Sequence, residues 1–518
     1  MHLDLKDKKS GLLIIVLLLL FRIFIQLSLY QAGFISLTAD EFGRTVMAAR
    51  WSEHPHVYWV GVFLPLHSYV IGTALLLIWE LLWVPRLITI LTGVVSIVIM
   101  YLIASSLFEN RVVGLLSAFF LSVNPAHIWL TGTPLTEMPN AMFVLTAVWA
   151  FVMYLKKYKQ GYLFTAACAL ALANGLRFES WIISVLFSLA ILGECFMGFA
   201  RRKIQIPKAL NAVIAAFLPW IFPFGSLIGN YIETQNLFSS SQAIQAYKFQ
   251  WYGHDVSYSK YIETFLKIDP YLTFLGIIAI AACLLFNKKS KTVQWYVAVA
   301  TIPLAGFILL HHGQVEPPGN YIRYFALFAF LFYPSLGYLW VISTQTIHSK
   351  MVKFGLFLFL GLVAFSQISA AFRFTNDPSA EGLAVGLAIR EQRTIDPEIS
   401  DRPVIIELSY WQYLAIEVGA NDIEGVVYDR EIDTESRKSQ SLLLTDDRLF
   451  QSCLKSYNVS YIIIRERNLR DVVENKLQLR SIKEVNGYAF YPIRADSLTD
   501  APADWAEREC PLSYSSGH

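Results

Sequence analysis

Long apolar runs separated by short polar stretches dominate the chain up to about residue 372. The runs lie at about 11–30, 61–84, 86–107, 112–131, 139–155, 162–176, 181–199, 208–228, 271–286, 293–310, 321–343 and 352–371. Because about 20 apolar residues of helix cross a bilayer, most of these runs are long enough to be membrane spans. The pattern therefore predicts a polytopic α-helical membrane protein.

Basic residues concentrate in a subset of the short loops, at residues 6–9, 156–159, 201–203, 288–291 and 350–353. Since short loops rich in Lys and Arg stay in the cytoplasm, we expect these loops and the N-terminus to be cytoplasmic. The loops near residues 133–140, 177–180, 230–269 and 311–320 then face the opposite side of the membrane.

Parity assigns the run at 61–84 a different role. If it crossed the membrane, every later basic loop would lie outside, so it must begin and end on the outer side. Its Pro65, Trp79, Glu80 and Trp83 are typical of an interfacial or re-entrant helix. We therefore predict about eleven spans, with residues 31–85 forming one large outer loop that contains juxtamembrane helices.

The composition changes after Phe372, where the apolar runs stop. The pattern predicts a soluble α/β domain over residues 373–518, on the outer face, after a transmembrane domain over residues 1–372. The expected elements are a helix capped at Asp377 that ends near Gln392, a strand Val404–Leu408, a helix capped by Ser409, a helix Asp446–Tyr457, a strand Val459–Ile464, and a hairpin Ser481–Arg494 that turns at Asn486-Gly487.

Composition agrees with the membrane assignment. Of the 518 residues, 55% are hydrophobic and only 16% are charged, whereas soluble domains carry about a quarter charged residues. Five cysteines without a Cys-x-x-Cys spacing indicate no metal or redox motif. Cys453 and Cys510 lie in the C-terminal region and would pair if that region faces an oxidising compartment.

The polar stretch Thr38–Arg44 follows the first apolar run directly. It contains the adjacent carboxylates Asp40 and Glu41, which are costly to keep close to hydrocarbon and so indicate a functional role. The alternative is an ordinary polar loop that leaves a membrane helix.

Further ionisable and aromatic residues lie in the outer loops, and one cation lies inside the first span. These candidates are Glu137, Arg177, Glu179, His254, His311, Arg323, Tyr324 and, in the span, Arg22. Carboxylates and arginines at helix ends suit attack on a sugar carbon bound to phosphate, because one carboxylate takes the acceptor's proton while cations stabilise the leaving phosphate.

Each candidate also has a structural alternative. Arg22 and Arg323 are able to anchor their helices by snorkelling, and Glu137 is able to cap a helix or bind a metal. On a regular helix Arg177 and Glu179 would not face each other, since they are two positions apart. Because His311 and His312 are adjacent, at most one of them would be a ligand.

The order and sidedness of these features resemble the GT-C-type glycosyltransferases that use lipid-phosphate sugars, in particular the protein O-mannosyltransferase and lipid A aminoarabinose transferase group. The resemblance covers about residues 10–345. It rests on Asp40-Glu41, Pro65 with the apolar helix leading to Pro85-Arg86, Glu137, Arg177-Phe178-Glu179, and Arg323-Tyr324.

The resemblance implies that Asp40 is the catalytic base, with Glu41 positioning it or pairing with a cation such as Arg44. Arg177 and Arg323 are implied to bind the donor phosphate, with Arg22 as a deeper third candidate. The implied donor is a polyprenyl- or dolichyl-phosphate sugar, cleaved with inversion.

The expected function is thus sugar transfer to a lipid, glycan or protein acceptor on the outer face of a prokaryotic plasma membrane. No organic cofactor and no nucleic-acid partner are expected, and a divalent metal is left open. One alternative is a lipid-linked oligosaccharide polymerase or ligase, which would not need an acidic pair after the first helix. The other is a lipid-linked sugar transporter, which predicts internal repeats and charges at the membrane midplane.

Overall fold

The structure is a computed structural model that describes residues 8–58, 63–200, 206–252, 263, 265, 270–310, 321–396, 401–407, 412–429, 441, 443 and 447–493. These residues pack as two compact units. The helical unit comprises the described parts of Met1–Phe34, His56–His67 and Arg86–Thr375, and the mixed unit comprises those of Ile35–Pro55, Ser68–Pro85 and Asn376–His518.

The helical unit contains most of the apolar helices. They are α1 (Lys8–Gln31), α4 (Trp83–Phe108, from Arg86 onward), α5 (Arg111–Val123), α6 (Pro125–Thr131), α7 (Glu137–Lys157), α8 (Gln160–Asn174), α9 (Glu179–Ala200), α10 (Ile206–Phe217), a 3₁₀ turn (Leu218–Trp220), α11 (Ile221–Thr234), α12 (Ser239–Tyr252), α13 (Pro270–Phe286), α14 (Lys291–Leu310), α15 (Tyr321–Phe330), α16 (Tyr333–Thr346) and α17 (Lys350–Ala371).

In the described part of the chain, seven helices are long and apolar enough to cross a membrane, or up to nine if each of two bent pairs is one span. The expectation of about eleven spans stays a prediction, because some of the apolar runs form shorter helices. The run expected at 162–176 forms α8, which has 15 residues, and the run at 271–286 forms α13, which has 17.

Two runs that were predicted to be single spans are broken. The run at 112–131 bends by 66° between α5 and α6. Asn124 adopts an extended conformation there, as expected for a residue before a proline, and its side chain accepts the backbone N–H of His127. The run at 321–343 bends by 41° between α15 and α16, where Pro334 lies in the first turn of the second helix.

The mixed unit contains the helices of the first loop and the whole C-terminal region. Its elements are α2 (Asp40–Glu53), α3 (Leu66–Leu77, from Ser68 onward), a 3₁₀ turn (Pro378–Ala380), α18 (Glu381–Ile395), β1 (Val404–Ile406), α19 (Gln412–Ala420), β2 (Val426–Tyr428), α20 (Asp447–Ser456), β3 (Tyr461–Ile464), α21 (Arg467–Leu477), β4 (Lys483–Val485) and β5 (Tyr488–Pro492).

A five-stranded sheet in the order β2-β1-β3-β5-β4 forms the centre of the C-terminal region. The first three strands are parallel, and β5 pairs antiparallel with β3 and β4. Ile405 and Ile462 pack into the core on one face of the sheet, while Ile406 and Ile463 pack into the core on the other. Burial on both faces explains the continuous apolar runs in these strands.

Most of the predicted C-terminal elements are confirmed. The side chain of Asp377 accepts the N–H of Ser379 at the start of a helical segment that continues to Ile395. Asn486 and Gly487 have positive φ angles of 48° and 79° between β4 and β5, as a two-residue hairpin requires. Ser409, which was predicted to cap a helix, lies outside the described residues.

The first loop forms short helices, as expected. The run at 61–84 contains α3, which has 12 residues and is too short for a span. The grouping differs from the predicted division near residue 372, since residues 35–55 and 68–85 pack with the C-terminal region. Asn376 Oδ1 accepts the N–H of Ile35 at 2.8 Å, and Asn421 Oδ1 accepts the N–H of Leu81 at 2.8 Å.

Candidate active site

Two arginines and two glutamates of the helical unit meet around a buried cleft. Arg177 donates from Nη1 to Glu137 Oε1 at 2.6 Å, and Arg323 donates from Nε to the same oxygen at 2.7 Å. Arg177 also binds Glu179 through two contacts, Nη2 to Oε1 at 2.6 Å and Nε to Oε2 at 3.0 Å. We call these four residues and the adjacent Tyr324 the arginine cluster.

The ends of three helices place the charged groups of this cluster. Glu137 is the first residue of α7, Glu179 is the first residue of α9, and Arg323 lies in the first turn of α15. The N-terminal ends of helices carry partial positive charge, which favours the two carboxylates and would favour any bound anion.

Arg177 and Glu179 were expected not to face each other if both lay on a regular helix. That condition is not met in the structure, because Arg177 lies in the loop that precedes α9 and Glu179 begins that helix. Their contact is the planar two-point pairing that guanidinium and carboxylate groups favour. The spacing argument, which holds only on a regular helix, therefore does not apply to this pair.

Electrostatics keeps Arg177 charged although its side chain is only 8% exposed. Burial alone lowers the pKa of Arg177, but the carboxylates of Glu137 and Glu179 more than offset that effect and raise the pKa above its usual value. Arg177 is therefore a permanent cation in this cleft. Glu137 is as buried as its partners, with a side chain that is 3% exposed.

Aromatic and apolar groups complete the cleft. The guanidinium of Arg177 lies 4.9 Å from the ring centroid of Tyr324, and that of Arg323 lies 6.0 Å from it. Both distances are within the range of cation–π attraction. The lining combines this polar end with an apolar wall formed by Leu130, Ala326, Leu327 and Phe330.

Asn140 also lines the cleft and was missed in the sequence. It lies three residues after Glu137 on α7, so the two side chains share one face of the helix. Ser180 donates to Asn140 Oδ1 at 2.6 Å and so fixes the amide. The Glu-x-x-Asn spacing after Thr136 is the signal that would have found Asn140.

Asp40 and Glu41 lie in the mixed unit, where they begin α2. Asp40 is partly exposed, whereas Glu41 is fully buried. Glu41 Oε1 accepts the backbone N–H groups of Leu37 and Thr38, at 2.5 and 3.2 Å. The buried carboxylate thus holds the backbone that leads into the helix, and the partly exposed carboxylate is the one open to solvent.

Arg22 is almost completely buried in α1, with 1% of its surface exposed, and so does not snorkel. Its Nη2 donates to Gln26 Oε1 at 3.0 Å and to the carbonyl oxygens of His127 and Ile128, each at 3.4 Å. These bonds link α1 to the short helix α6. In the described residues no hydrogen bond joins Arg22 to the arginine cluster, so its predicted role in phosphate binding stays a prediction.

Two predicted candidates, His254 and His311, lie outside the described residues, as does His312. Within the described ranges there is no group of three or more His, Cys, Asp or Glu side chains that could hold a metal ion. The structure therefore brings together Glu137, Arg177, Glu179, Arg323 and Tyr324, and it describes Asp40 and Glu41 separately, in the mixed unit.

Residues 53–226 match the family model of dolichyl-phosphate-mannose-protein mannosyltransferases. The fold matches the apo crystal structure of ArnT from Cupriavidus metallidurans with a TM-score of 0.60 and 12% identity, over 96% of this chain and 100% of that one. The ArnT structure bound to undecaprenyl phosphate matches equally well, at a TM-score of 0.60 and 12% identity, over 94% and 99% of the two chains. The chain has the GT-C-type fold of ArnT.

The resemblance to GT-C-type glycosyltransferases drawn from the residues is thereby confirmed. The structural match to ArnT extends over 96% of the chain and so includes most of the C-terminal region. The family match covers α4 to α10 and the greater part of the first loop. No curated protein matches the sequence.

Proposed function

We propose that the chain is an inverting glycosyltransferase that moves a sugar from a polyprenyl-phosphate or dolichyl-phosphate carrier to a lipid, glycan or protein acceptor. The observation that carries the proposal is the cleft of the helical unit. It has two guanidinium groups at one end, Arg177 and Arg323, and an apolar wall beside them. A lipid phosphate has the matching chemistry, since its anionic head needs cations and its chain needs an apolar surface.

The family match and the fold agree with this ligand class. The matching family is that of the dolichyl-phosphate-mannose-protein mannosyltransferases, and one of the matching ArnT structures is bound to undecaprenyl phosphate. We propose the same class of carrier for this chain, bound with its phosphate on Arg177 and Arg323. The ring of Tyr324 lies within cation–π distance of both guanidiniums.

In the proposed reaction the acceptor's hydroxyl or amine attacks the anomeric carbon of the sugar. A new bond forms from that oxygen or nitrogen to the carbon, and the bond from the carbon to the phosphate oxygen breaks. Asp40 takes the acceptor's proton, and the carrier leaves as a polyprenyl phosphate whose added negative charge the two arginines stabilise. The partial exposure of Asp40, next to a buried Glu41, supports the choice of base.

We further propose that the enzyme works in a prokaryotic plasma membrane with its catalytic face outside and without an organic cofactor. The basic loops that motivated the orientation alternate along the chain with the loops that carry Glu137 and Arg177. Since basic loops stay in the cytoplasm, the loops between them would lie outside. A requirement for a divalent metal is tested by measuring the rate of sugar transfer before EDTA treatment, after it, and after Mg²⁺ or Mn²⁺ has been added back.

Sugar transfer by purified wild-type protein and Asp40→Asn tests the proposal. The substrates are several radiolabelled undecaprenyl-phosphate sugars, and extracts of lipids, glycans and proteins serve as acceptors. The assay measures both the labelled sugar transferred to an acceptor and the labelled sugar released by hydrolysis. Since the substitution is nearly isosteric and removes the base, we expect a loss of about 100-fold or more in rate with unchanged thermal stability. Full activity in Asp40→Asn would overturn the assignment of the base.

Arg177→Lys separates binding from chemistry in the same assay. Lysine keeps the positive charge but loses the two-point contact with Glu179, so we expect weaker binding of the carrier and a slower reaction. An unchanged rate and Michaelis constant would show that the carrier phosphate binds elsewhere.

A further inference from the structure

One oxygen of Glu137 lies between two guanidinium groups. Arg177 Nη1 and Arg323 Nε both donate to Glu137 Oε1, at 2.6 and 2.7 Å, and all three side chains are nearly buried. An anionic oxygen shared by two arginines is also the geometry in which arginines hold a phosphate oxygen. Glu179 differs, because both of its oxygens accept hydrogen bonds from the single guanidinium of Arg177.

Because of the charges in the cluster, a bound phosphate would compete with a carboxylate for the two arginines. The two arginines are balanced by the two glutamates, so the four groups together carry no net charge. A carrier phosphodiester adds one negative charge, and the phosphate monoester released after transfer carries about −1.5 to −2 at neutral pH. An added anion in a buried, neutral cluster is unfavourable unless a carboxylate moves away from the cations.

Glu137 is the carboxylate that is placed to move. Its Oε1 occupies the position between the two guanidiniums, whereas Glu179 is held in a two-point contact with Arg177 alone among the two arginines. When Glu137 leaves, the oxygen position shared by Arg177 and Arg323 becomes open to a phosphate oxygen.

We propose that Glu137 acts as an internal substitute for the carrier phosphate. It occupies the arginine pair in the empty cleft, gives way to the phosphate when the donor binds, and returns as the product leaves. This inference rests on the proposed function and deepens it. Glu137 is then a positioning residue whose competition lowers the affinity for the carrier and speeds the release of polyprenyl phosphate.

The test measures the binding of undecaprenyl phosphate to the purified full-length protein in detergent, for wild type, Glu137→Gln and Glu179→Gln. Both substitutions keep the side-chain shape and remove one negative charge, so they differ only in which contact is weakened. We expect Glu137→Gln to bind the carrier about tenfold more tightly than wild type, because a charged competitor is lost. Glu179→Gln should gain clearly less, since Glu137 still occupies the position between Arg177 and Arg323 in that variant.

Glu137→Asp gives an independent variant that keeps the charge. The shorter side chain reaches the two guanidiniums less well, so the carrier should bind more tightly than in wild type although no charge has changed. In the transfer assay Glu137→Gln should lower the Michaelis constant for the donor, strengthen inhibition by undecaprenyl phosphate and reduce kcat. A purely structural role for Glu137 would raise the Michaelis constant or leave it unchanged.

Three results would overturn the inference. These are unchanged or weaker binding in Glu137→Gln, equal gains in Glu137→Gln and Glu179→Gln, and binding in Glu137→Asp no tighter than in wild type. If undecaprenyl phosphate binds to none of these proteins, the proposed function fails together with the inference. Binding to wild type with no gain in the Glu137 variants would refute the inference alone.

Discussion

Asp40 and Glu41 are adjacent in sequence, but the start of α2 gives them different environments. Glu41 is buried and accepts two backbone N–H groups, from Leu37 and Thr38, while Asp40 remains partly exposed. A carboxylate that satisfies backbone donors is fixed in place, and a partly exposed one is free to exchange protons with solvent. This difference supports the proposal that Asp40 is the base and that Glu41 has a positioning role.

Substitutions at Glu41 test this division of roles. Glu41→Gln keeps an oxygen that accepts the N–H groups of Leu37 and Thr38, so we expect most of the sugar-transfer activity to remain. Glu41→Ala removes the acceptor, should cost about 1 kcal/mol at this helix start, and should reduce activity together with the melting temperature. Transfer rates and thermal unfolding of both variants check the prediction, and a Glu41→Gln protein as inactive as Asp40→Asn would contradict it.

At this scale the sequence supplied the candidate residues but not their partners. Glu137, Arg177, Glu179, Arg323 and Tyr324 were all candidates, and the structure joins them in one cluster. Their contacts depend on where α9 begins and on packing between α7 and α15, and neither is visible in residue spacing. Arg22 was a candidate for the same reasons, yet its hydrogen bonds lead to the carbonyls of α6.

Among the elements, the apolar helices were the most predictable, because each carries its own signal of length and composition. The break between α5 and α6 was predictable too, since Pro125 disfavours a helical conformation at Asn124. The packing of the first loop with the C-terminal region was not predictable. It depends on contacts such as that of Trp79 with Asn421, 342 residues apart, which leave no periodic pattern.

Asn421 is the residue through which this packing is most directly tested. Its side chain accepts from Leu81 N at 2.8 Å and donates to Trp79 O at 3.2 Å, and its carbonyl accepts from Trp79 Nε1 at 3.1 Å. Its φ angle of 58° is in the left-handed region, which asparagine and glycine tolerate better than other residues.

We expect Asn421→Gly to lose the side-chain hydrogen bonds but to adopt the left-handed conformation without strain. Asn421→Ala should lose the same hydrogen bonds and in addition be strained in that conformation. The melting temperature should therefore fall in the order wild type, Asn421→Gly, Asn421→Ala. The free energy of unfolding of Asn421→Ala should be about 1 kcal/mol lower than that of Asn421→Gly, because alanine is strained in the left-handed region. Since α2 belongs to the same unit, sugar transfer should fall in the same order although Asn421 is not a site residue. Equal stability of the two variants would show that the left-handed conformation does not matter here.

At the scale of the whole molecule, the two units have different chemistry. The helical unit supplies apolar helices and the arginine cluster, and the mixed unit supplies the carboxylates of α2 together with a five-stranded sheet. The mixed unit also contains Cys453, a fully buried residue of the sheet's core that is disulfide-bonded. Disulfides persist in oxidising compartments, so this residue supports the proposal that the C-terminal region lies outside the cytoplasm.

The pairing of Cys453 with Cys510 stays a prediction, since Cys510 lies outside the described residues, and counting thiols tests it. The chain has five cysteines, of which Cys168, Cys195 and Cys283 are free. Denatured wild-type protein should therefore add three polyethylene-glycol maleimides without reductant and five after reduction.

The single variants Cys453→Ser and Cys510→Ser are the matched controls for this count. Each should add four maleimides under both conditions, because the remaining partner becomes a free thiol. Five adducts on unreduced wild-type protein would contradict the disulfide and remove this support for an outer location. Protein extracted from the native membrane with a thiol-blocking reagent present gives the decisive sample, since a bond formed only during purification would then appear as five blocked thiols.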